Sequence, residues 1–267
     1  MSAITVRDIL KMKADGQAIA AVTAYDFPSA RMADAAGIDL ILVGDSLGCV
    51  VQGHRTTLPV TMDQMIYHTE MVSRAAGRAL VVGDMPFMSY QPDVGLALEN
   101  AGRFLAEGGA AAVKLEGGTT AARERVAVIV QADIPVMGHI GLTPQSVHAM
   151  GGYRVQGRDD AEASRIIDEA KALEQAGAFS MILEGIPEKL AKLVTEAVSI
   201  PTIGIGAGIH CDGQILVWHD LLGLSEGGYP KFVKPYADIA SIAKKALADY
   251  AAEVRGGDFP GAEQTYH

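Results

Sequence analysis

Short apolar runs recur along the chain, and four of them lead into a carboxylate followed by glycine, serine or a turn. They read DLILVGDS with Asp45, ALVVGDMPF with Asp84, AAVKLEGG with Glu116 and FSMILEGIP with Glu184. Runs without polar alternation are the mark of strands buried on both faces, as in a parallel sheet. The pattern predicts strands at 18–24, 39–43, 79–83, 111–116, 134–139, 179–185, 200–206 and 214–218. Two of them open Ile-Pro, where a proline is tolerated because the ladder has barely begun.

Between the strands the period changes to that of helices. Thr61-Met-Asp-Gln64 reads as a capping box that opens a helix to Arg74. Further helices are predicted over 93–106, 160–176, 187–198 and 236–254, with an amphipathic helix near the amino terminus. The stretch 255–267 is polar and reads as a loose tail. No linker or low-complexity segment interrupts 1–267, so one domain is expected. Eight strand–helix units in 267 residues approach the ~250-residue (β/α)8 TIM barrel. The doubly wound sheet is the main competitor, but no G-x-G-x-x-G follows the first strand. In a barrel, strand carboxyl ends form the active site, and that is where the four acids fall.

Composition narrows the function. The net charge of −10 and the absence of a Lys/Arg run argue against nucleic-acid binding. No apolar run reaches the ~20 residues of a membrane span, and a cytoplasmic protein is expected. Cys49 and Cys211 are far apart, lack metal-type spacing and read as free thiols.

Converging acids repel one another unless a cation or a proton lies between them. The repeated V-G-D at Asp45 and Asp84, with Glu116, forms a hard oxygen set suited to Mg²⁺, whereas the absence of a His/Cys cluster argues against zinc. Lys114 shares a strand face with Glu116 and reads either as a structural ion pair or as a contact to a substrate carboxylate or enolate oxygen. Glu184, after SMIL, enters an apolar setting that raises a carboxyl pKa toward that of a general base. His139 ends the fifth strand as a pocket polar residue. Gly204-Ile-Gly-Ala-Gly208 is either a phosphate-binding turn or a packing device. On these residues alone, a Mg²⁺-dependent lyase or mutase of a 2-oxo acid and a phosphate-binding barrel both remain open.

The motifs TAYDFPSA, ILVGDSLGCVVQGHRTTLPVT, VVGDMPFMSY, AAVKLEGG, IPVMGHIGLTPQS and PTIGIGAG occur in an order that resembles the ketopantoate hydroxymethyltransferase family from about residue 5 to 248. Cys49 stands where that family's pattern leads one to expect methionine. The resemblance implies a (β/α)8 barrel of the phosphoenolpyruvate/pyruvate-binding type. It implies hydroxymethyl transfer from 5,10-methylenetetrahydrofolate, a co-substrate, to 3-methyl-2-oxobutanoate, giving 2-dehydropantoate in pantothenate biosynthesis through a Mg-stabilised enolate. It also implies one Mg²⁺ per subunit and a homodecamer. By position, Asp45, Asp84 and Glu116 match the metal-associated acids. Asp45, Ser46, Asp84, Lys114 and His139 match keto-acid contacts, and Glu184 matches the proton acceptor.

Overall fold

The structure, a computed structural model, describes residues 2–225 and 228–266. Chain contacts divide it into two compact units, Met1–Trp218 and His219–His267.

The first unit contains a closed parallel barrel in sequential strand order. Its strands are β1 (Ile19–Thr23), β2 (Leu40–Val43), β3 (Leu80–Asp84), β4 (Ala112–Lys114), β5 (Val136–Gly141), β6 (Ser180–Glu184), β7 (Thr202–Ile205) and β8 (Gly213–Leu216), with β8 pairing back onto β1. Each falls on a predicted apolar run. The two Ile-Pro prolines lie just before β5 and β7, where the missing N–H costs no ladder bond. Their carbonyls still serve the sheet, Pro135 O accepting from Val113 N and Pro201 O from Met181 N.

Helix α1 (Val6–Ala14) begins at a capping box made by Thr5 and Asp8, and its Ile9 and Met12 join the core beneath the strands. Inward-facing Leu40, Leu42, Leu80, Val82, Ala112, Met137, Ile182, Ile203 and Ile215 fill the barrel. Outside it stand α2 (Phe27–Ala35), α4 (Met62–Ala75), α5 (Val94–Ala106), α6 (Thr120–Gln131), α7 (Asp160–Gln175) and α8 (Glu188–Ala197), with the one-turn α3 (Leu47–Val50) directly after the β2 loop. The Thr61–Gln64 capping box is present as predicted. Helices α2 and α6 escape the periodicity reading. Their signals are local: Asp26 caps α2 in a box with Ser29, with Pro28 in the first turn, and Thr119 caps α6.

The regular eight-unit repeat fails between β7 and β8, which are joined by residues 206–212 without a helix. Gly206 and Gly208 there adopt positive φ (63° and 80°), and a Cβ on Gly208 would meet Glu188 Cγ at 2.5 Å. With no helix after β7, the GIGAG stretch has no helix amino terminus behind it. Gly206 and Gly208 serve the turn, and Gly208 also packs against Glu188 of α8.

In the second unit, α10 (Ile239–Gly256) follows the one-turn α9 (Trp218–Leu221), which begins at the unit boundary. Helix α10 is capped by Asp238 and closed by Gly257 in the left-handed region, and none of its residues is buried. Within 255–266, Phe259 packs edge-on against Tyr250, at 5.4 Å between ring centres. Among the described residues no helix is long and apolar enough to cross a membrane.

Candidate active site

Along the strands, the inward positions change from apolar to polar at the carboxyl ends. Asp84 follows Val82 on β3, Lys114 follows Ala112 on β4 with Glu116 two residues beyond, His139 follows Met137 on β5, and Glu184 follows Ile182 on β6. The alternation of a strand thus places acids and base on the axis that the core residues fill below. The glycine before each V-G-D aspartate has its own reason. A Cβ on Gly83 would lie 2.2 Å from the Phe104 ring of α5, and one on Gly44 would lie 2.7 Å from Ser46 Oγ.

Asp45, Ser46, Asp84, Lys114, Glu116, His139 and Glu184 all line one cavity of about 110 Å³, closed by Thr23, Leu42, Ile182, Ile205, Ile215 and neighbours. Every sequence-nominated residue is therefore brought together. Lys114 is the electrostatic hub, 3 % exposed at its side chain. Its Nζ donates to Asp84 Oδ2 at 3.0 Å and to Glu116 Oε1 at 3.2 Å. Strand register dictates the first contact, because Asp84 and Lys114 are direct partners across β3 and β4. Burial alone would pull the Lys114 pKa down. Asp84, Glu116 and Asp45 more than reverse that and hold it well above its ordinary value, so the ammonium persists.

The carboxyls respond in the opposite sense. Burial drives Asp84 well above the usual carboxylate range despite Lys114, and Asp45 and Glu116 add to the rise. Burial likewise pushes Glu116 up to about 7 against the pull of Lys114. Glu184, 15 % exposed at its side chain, is raised by burial to about 7 as well. His139 lies between the two glutamates, Nε2 3.1 Å from Glu184 Oε2 and Nδ1 3.6 Å from Glu116 Oε1. Neither approach meets hydrogen-bond geometry. Burial, then Lys114, holds the His139 pKa well below its ordinary value, so the ring is neutral.

Among the described residues, no group of three or more His, Cys, Asp and Glu side chains is arranged to enclose a metal. Glu116, expected as the third metal-associated acid, directs Oε1 at Lys114 and accepts with Oε2 from Gln145 N at 3.0 Å. Asp84 Oδ1 is different. It is buried and accepts no hydrogen bond, although Lys114 Nζ lies 3.0 Å away. A buried acceptor of this kind beside a second carboxylate, Asp45, suits a cation held by two acids and completed by other oxygens, the usual arrangement for Mg²⁺.

Three residues that the sequence reading did not nominate complete the site. Tyr25 is buried after β1, with its hydroxyl 2.9 Å from Ser46 Oγ. Tyr90 hydroxyl accepts from Glu116 N at 3.1 Å and donates to Gln145 Oε1 at 2.8 Å. Gln145, in the short 3-10 turn after β5, reaches Asp45. Their signals were faint: tyrosines in TAYD and MPFMSY and a glutamine in LTPQ, each just past a strand end.

Comparison with known proteins agrees with the architecture and the motif order. Among solved structures, the fold matches 2,3-dimethylmalate lyase, a PEP mutase/isocitrate lyase superfamily member, at a TM-score of 0.64 and 18 % identity, covering 98 % of this chain and 92 % of that one. It also matches phosphonopyruvate hydrolase in complex with oxalate and Mg²⁺, at a TM-score of 0.63 and 13 % identity, covering 98 % and 93 %. The shared feature is the fold, an eight-stranded parallel barrel. Sequence relatives are much nearer. A 3-methyl-2-oxobutanoate hydroxymethyltransferase of Geobacter metallireducens is 59 % identical over 96 % of both chains. One of Syntrophotalea carbinolica is 57 % identical over 98 % of both. The profile described as Ketopantoate hydroxymethyltransferase matches residues 3–262. The chain belongs to the ketopantoate hydroxymethyltransferase family.

Proposed function

We propose that this protein transfers a hydroxymethyl group from 5,10-methylenetetrahydrofolate to 3-methyl-2-oxobutanoate, giving 2-dehydropantoate. Family membership supports the reaction and its place in pantothenate synthesis. The observation that carries the mechanism is the placement of Glu184. A carboxyl raised to about 7 lines the same pocket as Asp45, Asp84 and Lys114 but hangs from a different strand.

Asp45 and Asp84 would hold Mg²⁺, with Glu116 supporting them through Lys114. When bound, the ion supplies Lewis acidity toward the oxygens of a 2-oxo acid. The chain's own groups do the rest. Lys114 offers a buried positive charge for the substrate carboxylate or for charge arriving on its keto oxygen. Glu184 takes the C3 proton, and neutral His139, 3.1 Å from it, stays close to the carboxyl as its charge changes. The electron pair left at C3 forms the bond to the one-carbon unit; overall, that carbon's two bonds to folate nitrogens are replaced by one bond to C3 and one to a water-derived hydroxyl, and tetrahydrofolate leaves with the C3 proton and one proton of the water on its nitrogens. The apolar wall of Leu42, Ile182, Ile205 and Ile215 excludes bulk water from the carbanionic centre. The test is direct: with Mg²⁺ and both substrates, mass spectrometry should find 2-dehydropantoate, and leaving out the folate should stop its formation.

Two further outcomes are expected. Because Glu184 acts as a base only when ionised, the rate of C3 proton removal should rise about tenfold per pH unit well below 7 and level off above it. A steeper limb would report Glu116, which is also raised to about 7. Stopped-time exchange measurements across pH 5–9 give this profile. Tyr25→Phe removes the hydroxyl beside Ser46 Oγ. The loss of one such bond, about 0.5–1.5 kcal/mol, should raise the keto-acid KM roughly two- to tenfold with little change in kcat.

Homodecameric assembly belongs to the same reading. It is supported by α10, whose Ile242, Leu247, Tyr250 and Val254 are 64 %, 67 %, 53 % and 46 % exposed in the single chain.

A further inference from the structure

Gln145 is 5 % exposed, and almost every polar group it owns is committed. Its Nε2 donates to Asp45 Oδ2 at 2.9 Å and to Met85 O at 2.9 Å. Its Oε1 accepts from Tyr90 Oη at 2.8 Å and from Gln91 Nε2 at 2.9 Å. Its backbone N–H donates to Glu116 Oε2 at 3.0 Å. The orientation of the amide is decided by chemistry, because Asp45 carboxylate and Met85 carbonyl can only accept. The NH₂ end must therefore face them, and the two donors at the other end hold it there.

One neutral residue thus contacts two of the site's four acids from the loop after β5, while Lys114 contacts Asp84 and Glu116 from β4. The division of labour has a physical reason. A second lysine in place of Gln145 would neutralise Asp45 and compete with a cation for its charge. An amide fixes the carboxylate's rotation while leaving that charge intact. Tying Oδ2 back leaves Oδ1 outside the amide's grip, on a residue that lines the pocket together with Asp84 and whose backbone N–H donates to Asp84 Oδ2 at 3.1 Å.

We infer that Gln145 is a positioning residue, one that sets the affinity of the Asp45–Asp84 pair for a divalent cation by fixing the rotation of Asp45. The inference rests on the proposed Mg²⁺ site. Gln145→Met keeps the volume and removes the amide. Gln145→Glu turns an oxygen toward Asp45 and Met85 O. Gln91→Leu, at a part-buried position, removes one of the two donors that anchor the amide.

Isothermal titration of each purified protein with MgCl₂, without keto acid, reads the effect. Gln145→Met should bind Mg²⁺ at least tenfold more weakly than wild type, Gln145→Glu more weakly still, and Gln91→Leu roughly two- to fivefold more weakly. In turnover, Gln145→Met should show a raised KM for Mg²⁺ and a kcat that recovers at saturating metal, a split that a general loss of stability does not produce. If wild type binds Mg²⁺ and Gln145→Met binds it equally well, Gln145 does not position Asp45 and the inference fails alone. If Gln145→Met does not fold, as judged by circular dichroism, an unchanged affinity in Gln91→Leu overturns it instead. If wild type itself takes up no Mg²⁺, the reading of the site fails and the inference falls with it.

Discussion

Replacing Glu184 with glutamine is expected to abolish removal of the C3 proton from 3-methyl-2-oxobutanoate while leaving Mg²⁺ and keto-acid binding within about threefold of wild type. The substitution keeps size and hydrogen-bonding capacity but removes the only function a base needs, an ionisable oxygen. Loss of a positioned general base costs on the order of 10²–10⁴ in rate. The environment explains the selectivity of the effect. Glu184 is pushed to about 7 by burial and is not among the partners that Lys114 binds directly. Its removal therefore leaves the Asp84–Lys114–Glu116 cluster intact. Folding should be unharmed or slightly improved. A carboxyl raised above its unfolded value near 4.5 stabilises the fold most at low pH, and that contribution is lost as pH rises through 7. A neutral amide carries no such penalty at neutral pH. The rate of methine loss by proton NMR, beside calorimetric titration of keto acid and Mg²⁺, separates the two effects. Surviving exchange with collapsed binding would make Glu184 a ligand and leave His139 as the better base.

Lys114→Met should have the largest effect on stability. Removing one member of a buried ion cluster leaves the others uncompensated, typically at a cost of about 3–5 kcal/mol. For a chain of this size that corresponds to a thermal midpoint lower by roughly 10 °C. The pH dependence carries the signature. Without the ammonium, Asp84 and Glu116 lose the one charge that lowers their pKa values, so both rise further above their unfolded values. The deficit relative to wild type should then be small below about pH 4 and widen as pH climbs through 7. Differential scanning calorimetry at pH 4, 6 and 8 reads this directly. A deficit independent of pH would mean that Lys114 contributes packing rather than charge. Keto-acid binding should weaken in parallel, since the same ammonium faces the pocket.

How far the molecule was legible in advance can be judged residue by residue. The eight strands were visible because a parallel strand buried on both faces must be written as an uninterrupted apolar run, and each such run ended near a turn. Lys114 and Glu116 could be assigned to one side from their spacing alone, and the structure places both in the cavity. The acids of β2, β3 and β6 followed from the rule that strand carboxyl ends surround the site. What stayed hidden depends on contacts between residues far apart in sequence. Gln145 reaches Asp45 across 100 positions, and nothing in LTPQ foretells it. The absence of a helix between β7 and β8 was masked by the GIGAG glycines, which suit a phosphate turn and a packed corner equally well. The state of Lys114 was likewise undecided between ion pair and substrate contact. In the structure it is paired with two carboxylates and lines the pocket as well. Substrate and one-carbon donor were never written in the periodicity, and only the motif order of the family points to them.

The central claim is that this pocket removes the C3 proton of a 2-oxo acid by a base on β6 that faces the acid–lysine cluster at the ends of β2–β4. Proton NMR of 3-methyl-2-oxobutanoate in D₂O, with enzyme and Mg²⁺ but without folate, tests it most directly. The account predicts that the isopropyl methine signal fades as deuterium replaces hydrogen at C3, and that Glu184→Gln stops the loss. A methine signal that persists with wild-type enzyme competent in full turnover would contradict it.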